Sequence, residues 1–396
     1  MAERKRIIMI GPVYPYKGGI SHYTGMMYRE LAKKHDVIMI SYKKQYPKIL
    51  FKREQRDFEN DNFKVENTKY LINTANPINI ISVARWIKRY QPDMVIIQWW
   101  HPYFAPCYRI LTTFMGKQNI TFVCHNVLPH ERFPLDKWLT KLTLKKGKNF
   151  ILHAYNEEVE LDNILKQEKM PLLILDDTQA GLSEKPRYRK RVTPHPTYDA
   201  FKFTGISKKD ARDKLGIHQE EKILLFFGFV REYKGLGYLI EAMPKIIRNL
   251  TNVKLLVVGD FDENKDIYMH QIEKLELNDY VIVKDGYLPD REVEPYFAAC
   301  DLVMLPYLSA TQSGIAQIAF GFTKPVIATN VGGLPDVIRD GETGYLVEPR
   351  NSEQLAQAVI TYYKEKKQKA FEQYIKQEAY RFSWERMGEV IDDFLE

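Results

Sequence analysis

Cysteine is scarce in this 396-residue chain. Cys107, Cys124 and Cys300 stand too far apart for a disulfide framework or a thiolate zinc site. Long apolar runs are lacking too. The run over 7–10 is too short for a signal peptide, and no later stretch reaches the roughly 18 apolar residues of a spanning helix. The expectation is therefore a cytoplasmic protein. There is no G-x-G-x-x-G fingerprint, P-loop, serine nucleophile elbow or Cys/His triad pattern. Nicotinamide, flavin and hydrolase chemistries lose their usual signatures with them. What is present is an ordinary globular composition, 45% hydrophobic and 28% charged, which excludes disorder, collagen and coiled coil. The length suits two domains of roughly 200 residues each.

The net charge of +7 conceals an asymmetry. Residues 1–200 hold 33 Lys and Arg against 20 Asp and Glu, whereas residues 201–396 hold 25 against 31. Opposite signs suggest domains with different partners. No helix-turn-helix, RNA-binding or zinc-finger pattern accompanies the basic half, so nucleic acid is not the expected partner. An anionic membrane surface or a phosphorylated acceptor suits it, as does a plain solvated face.

Short apolar runs alternate with segments of helical period, the mark of α/β units on parallel sheets. In the first half, strands are expected over 6–11, 37–42, 94–98, 120–124 and 150–153, with helices over 20–34, 78–90, 106–115, 135–146 and 156–166. The polar stretch 43–69 reads as a long loop. A basic segment over 185–191 leads to Pro194-His195-Pro196, where the domain boundary is placed. The second half repeats the pattern, with strands over 222–228, 253–259, 280–284, 302–306 and 325–328. The architecture expected is α/β, with two doubly wound halves binding a ligand at the carboxyl ends of their strands, in the cleft between them.

Several strand-to-helix junctions carry residues suited to that task. Gly18-Gly19 lets the backbone approach a ligand and opens a helix N-terminus to an anion. The segment 228–235 closes a strand with Arg231 and Lys234, two cations suited to a diphosphate. Ser309 to Ile315 offers small and hydroxylated residues for a second anion cradle, or an ordinary N-cap by Ser313 or Thr311. His125 follows the strand over 120–124, where it either hydrogen-bonds in the cleft or packs in the core. Pro129 separates it from His130, so the two do not share a helical face as metal ligands would. Trp99, Trp100, His101 and Tyr103 end another strand, where aromatic faces can stack on a sugar or pack inward.

Taken in this order, these segments resemble the retaining nucleotide-sugar glycosyltransferases of family four (group 1), of the bacterial envelope-polysaccharide type. The resemblance is strongest from Leu224 to Pro349, through Lys324-Pro325-Val326-Ile327-Ala328-Thr329, Gly332-Gly333-Leu334-Pro335-Asp336 and Asp340-Gly341-Glu342-Thr343-Gly344. It implies the GT-B fold: an acceptor-side Rossmann-like domain over 1–196, a nucleotide-sugar domain over 197–379, and a final helix over 380–396 packed back on the first. It also implies a hinge near 194–196.

Site roles follow from the resemblance. His125, Arg231 and Lys234 are the catalytic candidates. Gly18, Gly19, Tyr287, Leu288, Thr311, Gln312, Ser313, Gly314, Ile315 and Gln317 are the donor-binding ones. Trp100, His101, His130 and Glu131 are the acceptor-side ones. No cofactor and no metal are expected. The partners expected are a nucleotide-sugar donor, a saccharide or lipid-linked acceptor, and an anionic membrane met by the basic half. One feature departs from the family. Its pair of glutamates seven residues apart would fall on Ala310 and Ile318, or on Thr311 and Ala319, leaving Gln312 and Gln317 as the nearest polar substitutes. That departure keeps a second reading in play, a non-catalytic nucleotide-sugar-binding partner or scaffold. An epimerase or phosphorylase on the same fold is a third.

Overall fold

The computed structural model describes residues 3–47, 56–58, 63–129, 132–165, 188–261 and 265–396. These residues form two compact units, 1–193 with 384–396, and 194–383. Each is built on one parallel sheet.

The strands of the first unit are β1 (Arg6–Ile10), β2 (Asp36–Lys44), β3 (Thr68–Asn73), β4 (Met94–Trp99), β5 (Ile120–Cys124), β6 (Asn149–Leu152) and β7 (Arg189–Val192). They lie in the order β3-β2-β1-β4-β5-β6-β7, every pairing parallel. Helices on both faces bury the central strands, all but Arg6 at the start of β1, which is why β1, β4, β5 and β6 read as mainly apolar runs. The edge strands differ. The β3 sequence TKYLIN buries only Ile72, and β7, RKRV, buries none of its side chains fully. β3 begins at the end of the stretch read as a long loop and runs on through residues given no element, and β7 falls at the end of the basic segment. An edge strand exposed on one face carries no apolar run, so composition hides it.

Local signals set the helices. In helix Pro77–Tyr90, Asn76 accepts from Asn79 N at 3.1 Å as N-cap, Pro77 opens the first turn, and Gln91 closes it in the left-handed region. Helix Trp384–Leu395 buries the stripe Met387, Val390, Ile391 and Phe394. That stripe belongs to the first unit: Trp384 lies edge-on to Tyr23 at 5.0 Å, and Arg189 donates to the Phe394 carbonyl at 2.6 Å.

The second unit holds β8 (Lys222–Phe227), β9 (Val253–Gly259), β10 (Val281–Asp285), β11 (Leu302–Leu305), β12 (Val326–Thr329) and β13 (Gly344–Val347), in the order β10-β9-β8-β11-β12-β13. All are parallel. The chain reverses its direction of winding between β1 and β4 in one sheet, and between β8 and β11 in the other. Loops leaving the carboxyl ends of those strand pairs splay apart and leave a crevice in each unit.

Candidate functional site

The second unit gathers its cation site at the β8/β11 crevice. The chain leaves β8 through Gly228 and Phe229 and makes one 3-10 turn, Glu232–Lys234. Gly235 follows in the left-handed conformation, and a Cβ there would come within 1.9 Å of the Pro306 carbonyl oxygen. Only glycine lets this loop lie against the end of β11. The packing buries Lys234, whose ammonium sits 5.6 Å from the Tyr307 ring centre. No carboxylate pairs with Lys234 among the described residues. Burial, with the Arg231 charge beside it, lowers its pKa to about 8. Arg231 itself is exposed. A buried ammonium without a counter-ion can be relieved by an anion.

The 309–315 loop lies at the other side of Gly228. Ser313 caps helix Gly314–Gly321, its hydroxyl accepting from Ala316 N at 3.4 Å and lying 3.3 Å from the Tyr307 hydroxyl. The Ile315 side chain borders Gly228, as does the Lys234 ammonium, so loop and helix N-terminus share one pocket wall. A Cβ on Gly332 would meet the Ala310 carbonyl oxygen at 1.5 Å, and Gly333 N donates to Thr311 O at 2.9 Å. The loop after β12 thus holds the 309–313 loop in shape. Two amide atoms there have no hydrogen-bond partner among the described residues: Gln312 Nε2 and Gln317 Oε1, the latter on a side chain that is 1% exposed. Tyr287 and Leu288 follow β10, the edge strand two places from β8, with Tyr287 exposed and Leu288 half-buried.

In the first unit, Gly18 precedes helix Gly19–Ala32 with a positive φ and nothing within 4 Å of a Cβ placed on it. Tyr23 of that helix lies edge-on to His125 at 4.7 Å. His125 is buried at the end of β5, where its N–H donates to the Trp99 carbonyl at 2.8 Å. Its Nε2 lies 2.8 Å from Gln98 Oε1. Because Gln98 turns its Nε2 toward Met27 Sδ, its Oε1 faces the ring and accepts the His125 Nε2–H. The loop beyond is pinned from both sides. Val127 N donates to Glu157 Oε2 at 2.5 Å, and Trp99 Nε1 donates to Val127 O at 3.1 Å. Burial raises the Glu157 carboxyl to about 7 and lowers nearby His153 to about 4.

The acceptor-side candidates divide. Trp100 packs on Phe104 at 4.2 Å. His101 Nδ1 accepts from Tyr103 N at 3.0 Å to cap a 3-10 turn, and its ring stacks on Phe133. Both therefore have packing and capping tasks of their own. His130 and Glu131 lie outside the described residues. Tyr307, Gln98, Tyr23 and Glu157 enter the two sites although the sequence motifs did not single them out. Only Gln98 and Tyr307 carried a signal, as residues closing or following a strand that ends at a crevice.

Residues 207–380 match the family model described as Glycosyl transferases group 1. An uncharacterized glycosyltransferase of Methanocaldococcus jannaschii is 30% identical over 152 residues, 38% of this chain and 38% of that protein. A D-inositol 3-phosphate glycosyltransferase of Segniliparus rotundus is 33% identical over 156 residues, 39% of this chain and 34% of its own. The chain thus spans well under half the length of these two relatives. Among solved structures, Anabaena HepE in complex with UDP-glucose superposes with a TM-score of 0.70 at 16% identity, covering 99% of both chains. The fold is GT-B, and residues 207–380 of the second unit are similar to the group 1 glycosyl transferases.

Proposed function

We propose that the protein is a retaining, metal-independent hexosyltransferase that takes its sugar from a nucleoside-diphosphate donor. The acceptor in this reading is a saccharide or lipid-linked glycan of the cell envelope, met at an anionic membrane by the basic first half. The observation that carries the proposal is Lys234, buried without a counter-ion beside the N-terminus of helix Gly314–Gly321. Charge developing on the leaving diphosphate is the largest item a transferase must stabilise, and fixed cations with a helix dipole supply it without reorganising. The relatives named above are glycosyltransferases, and the HepE structure holds UDP-glucose.

In the proposed reaction the bond from the anomeric carbon to the diphosphate oxygen breaks. The acceptor oxygen forms its bond on the same face of the ring. The acceptor hydroxyl proton passes to a released phosphate oxygen, so no side chain is needed as base. Lys234 and Arg231 hold the diphosphate, and the 311–315 loop contributes main-chain N–H groups. Tyr287 and Leu288 meet the base of the nucleotide, while Gly18, Gly19 and His125 orient the hexose. The amides of Gln312 and Gln317 take donor hydroxyls.

The test is calorimetric binding of uridine, guanosine and adenosine diphosphates and their hexose conjugates, with chelator present throughout. One conjugate should bind, and Lys234→Ala should lose it. Absence of binding to every member would overturn the proposal. Turnover with envelope glycan acceptors then reads the anomer of the product by NMR. A second reading is favoured by the neutral Gln312 and Gln317: a partner protein that binds the donor without turning it over. Binding without product for any acceptor would select it.

A further inference from the structure

We infer that Tyr198 is a positioning residue for the second phosphate of the donor, acting through the main chain at the N-terminus of helix Gly314–Gly321. The inference rests on the proposed transferase reading and adds to it a residue outside the loops already assigned to the donor.

The segment that opens the second unit lies along this helix. Tyr198 and the 3-10 turn Asp199–Phe201 come within a few residues of the unit boundary between Thr193 and Pro194. A Cβ on Gly321 would lie 3.5 Å from the Tyr198 carbonyl group and 3.2 Å from Asp199 Oδ1. One on Gly314 would lie 3.7 Å from Tyr198 Cε2. The two glycines are seven residues apart, so they share one face of the helix and stand about 10 Å apart along its axis. Tyr198 thus has its backbone at the far end of the helix and its ring at the first turn. It is 4% exposed, which makes the ring a packed wall for that turn.

Hydrogen bonds hold the ring in place. His195 gives its Nδ1–H to the Pro196 carbonyl at 3.0 Å, and the neutral imidazole then accepts the Tyr198 hydroxyl at Nε2, 3.2 Å away. Next to Tyr198, Thr197 N donates to the Phe382 carbonyl at 2.9 Å. The Phe382 ring in turn meets Phe320 of the same helix at 5.6 Å.

The first turn is where a wall matters. Its N–H groups have no acceptor within the helix, and Gly314 has no side chain of its own to wedge the turn against its surroundings. Sheet order says which phosphate the turn would meet. In the order β10-β9-β8-β11, the strand before Tyr287 and the strand before this helix flank β8 and β9 from opposite sides. A nucleotide with its base by Tyr287 therefore brings its second phosphate to the helix. Hydrogen bonds weaken steeply with misalignment, so a turn left free to shift sideways would hold that phosphate poorly.

The experiment is calorimetric binding of uridine, guanosine and adenosine monophosphates and diphosphates to the full chain, with chelator present. Tyr198→Leu should weaken the diphosphate that the unmodified protein binds by roughly tenfold or more, and leave the matching monophosphate within about twofold. Intact monophosphate binding also shows that the second unit is folded. Tyr198→Phe keeps the ring against Gly314 and should restore the diphosphate to within about threefold. Should Tyr198→Leu fail to fold, Tyr198→Met is read by the same ratio of the two affinities. Equal loss of both ligands, or loss of neither, would overturn the inference and leave the transferase reading standing. Absence of binding of every nucleotide to the unmodified protein would overturn both.

Discussion

Glu157, at the start of helix Tyr155–Leu165, accepts the backbone N–H of Val127 through a 2.5 Å bond. The two residues are 30 apart in sequence. The bond fixes the loop that leaves β5 with His125, and the Trp99 indole holds the same residue by its carbonyl. A buried carboxyl is expensive when ionised, which is why its pKa is raised to about 7.

The sign of the pH effect follows. The folded protein holds the Glu157 proton more tightly than the unfolded chain, so stability falls as pH rises from about 4.5 to about 7 and the full penalty persists above that. Glu157→Gln keeps an acceptor for Val127 N and removes the charge. It should stabilise the first unit at pH 8 by on the order of 2 kcal/mol and be neutral near pH 4. Glu157→Leu should loosen the loop, seen as faster amide exchange at Val127. Identical pH dependence of melting in Glu157→Gln and the unmodified protein would refute this account.

Lys234 stores the opposite kind of penalty. Its pKa of about 8 lies below the usual lysine value, so the unfolded chain binds the proton more tightly and stability rises as pH climbs from about 8 to about 10.5. Lys234→Met should therefore raise the melting temperature at pH 7, by a free energy on the order of 2 to 3 kcal/mol, while abolishing diphosphate binding. Donor affinity of the unmodified protein should weaken above pH 8 as the ammonium deprotonates. Calorimetry in two buffers of different ionisation enthalpy should show proton uptake on binding near that pH. A buffer-independent heat there would count against it.

Gln317 presents a carbonyl oxygen with no protein partner inside the second unit. An unmet buried acceptor costs about 1–3 kcal/mol. Gln317→Leu should stabilise the unliganded protein and raise KM for the donor roughly tenfold, with kcat less affected. An unchanged KM would remove Gln317 from the donor site.

Gly235→Ala should be among the most damaging single substitutions in the second unit. The added methyl would meet the Pro306 carbonyl oxygen at 1.9 Å, and the residue would also keep a positive φ. The expected cost is above about 2 kcal/mol, with loss of nucleotide binding even where the protein still folds. Donor affinity within twofold of the unmodified protein would show that the loop does not position Lys234.

Much of the fold was legible before any coordinates. Parallel strands buried on both faces need apolar side chains on both, so β1, β4, β5, β8 and β9 announce themselves as continuous runs. Glycines at the end of β8 and before the first helix marked strand-to-helix junctions, and Arg231 and Lys234 stood within one of them. Of the two readings open for the 309–315 segment, the N-cap one holds for Ser313. These are local facts. Each depends on residues a few positions apart, whose backbone and burial preferences are set by their own chemistry.

The rest depends on which strands become neighbours. β3 and β7 escaped notice because an edge strand needs no apolar face, and their existence follows only from pairing with β2 and β6. The same holds for the sites. Tyr307 lies under the Lys234 ammonium because β8 and β11 are adjacent, although roughly 75 residues separate them in sequence. Gln98 reaches His125 because β4 pairs with β5, and Glu157 reaches Val127 because β6 follows β5 in the sheet. Sheet order is set by how buried surface is shared across the whole unit. Partners chosen that way carry no periodicity or spacing for a linear reading to find.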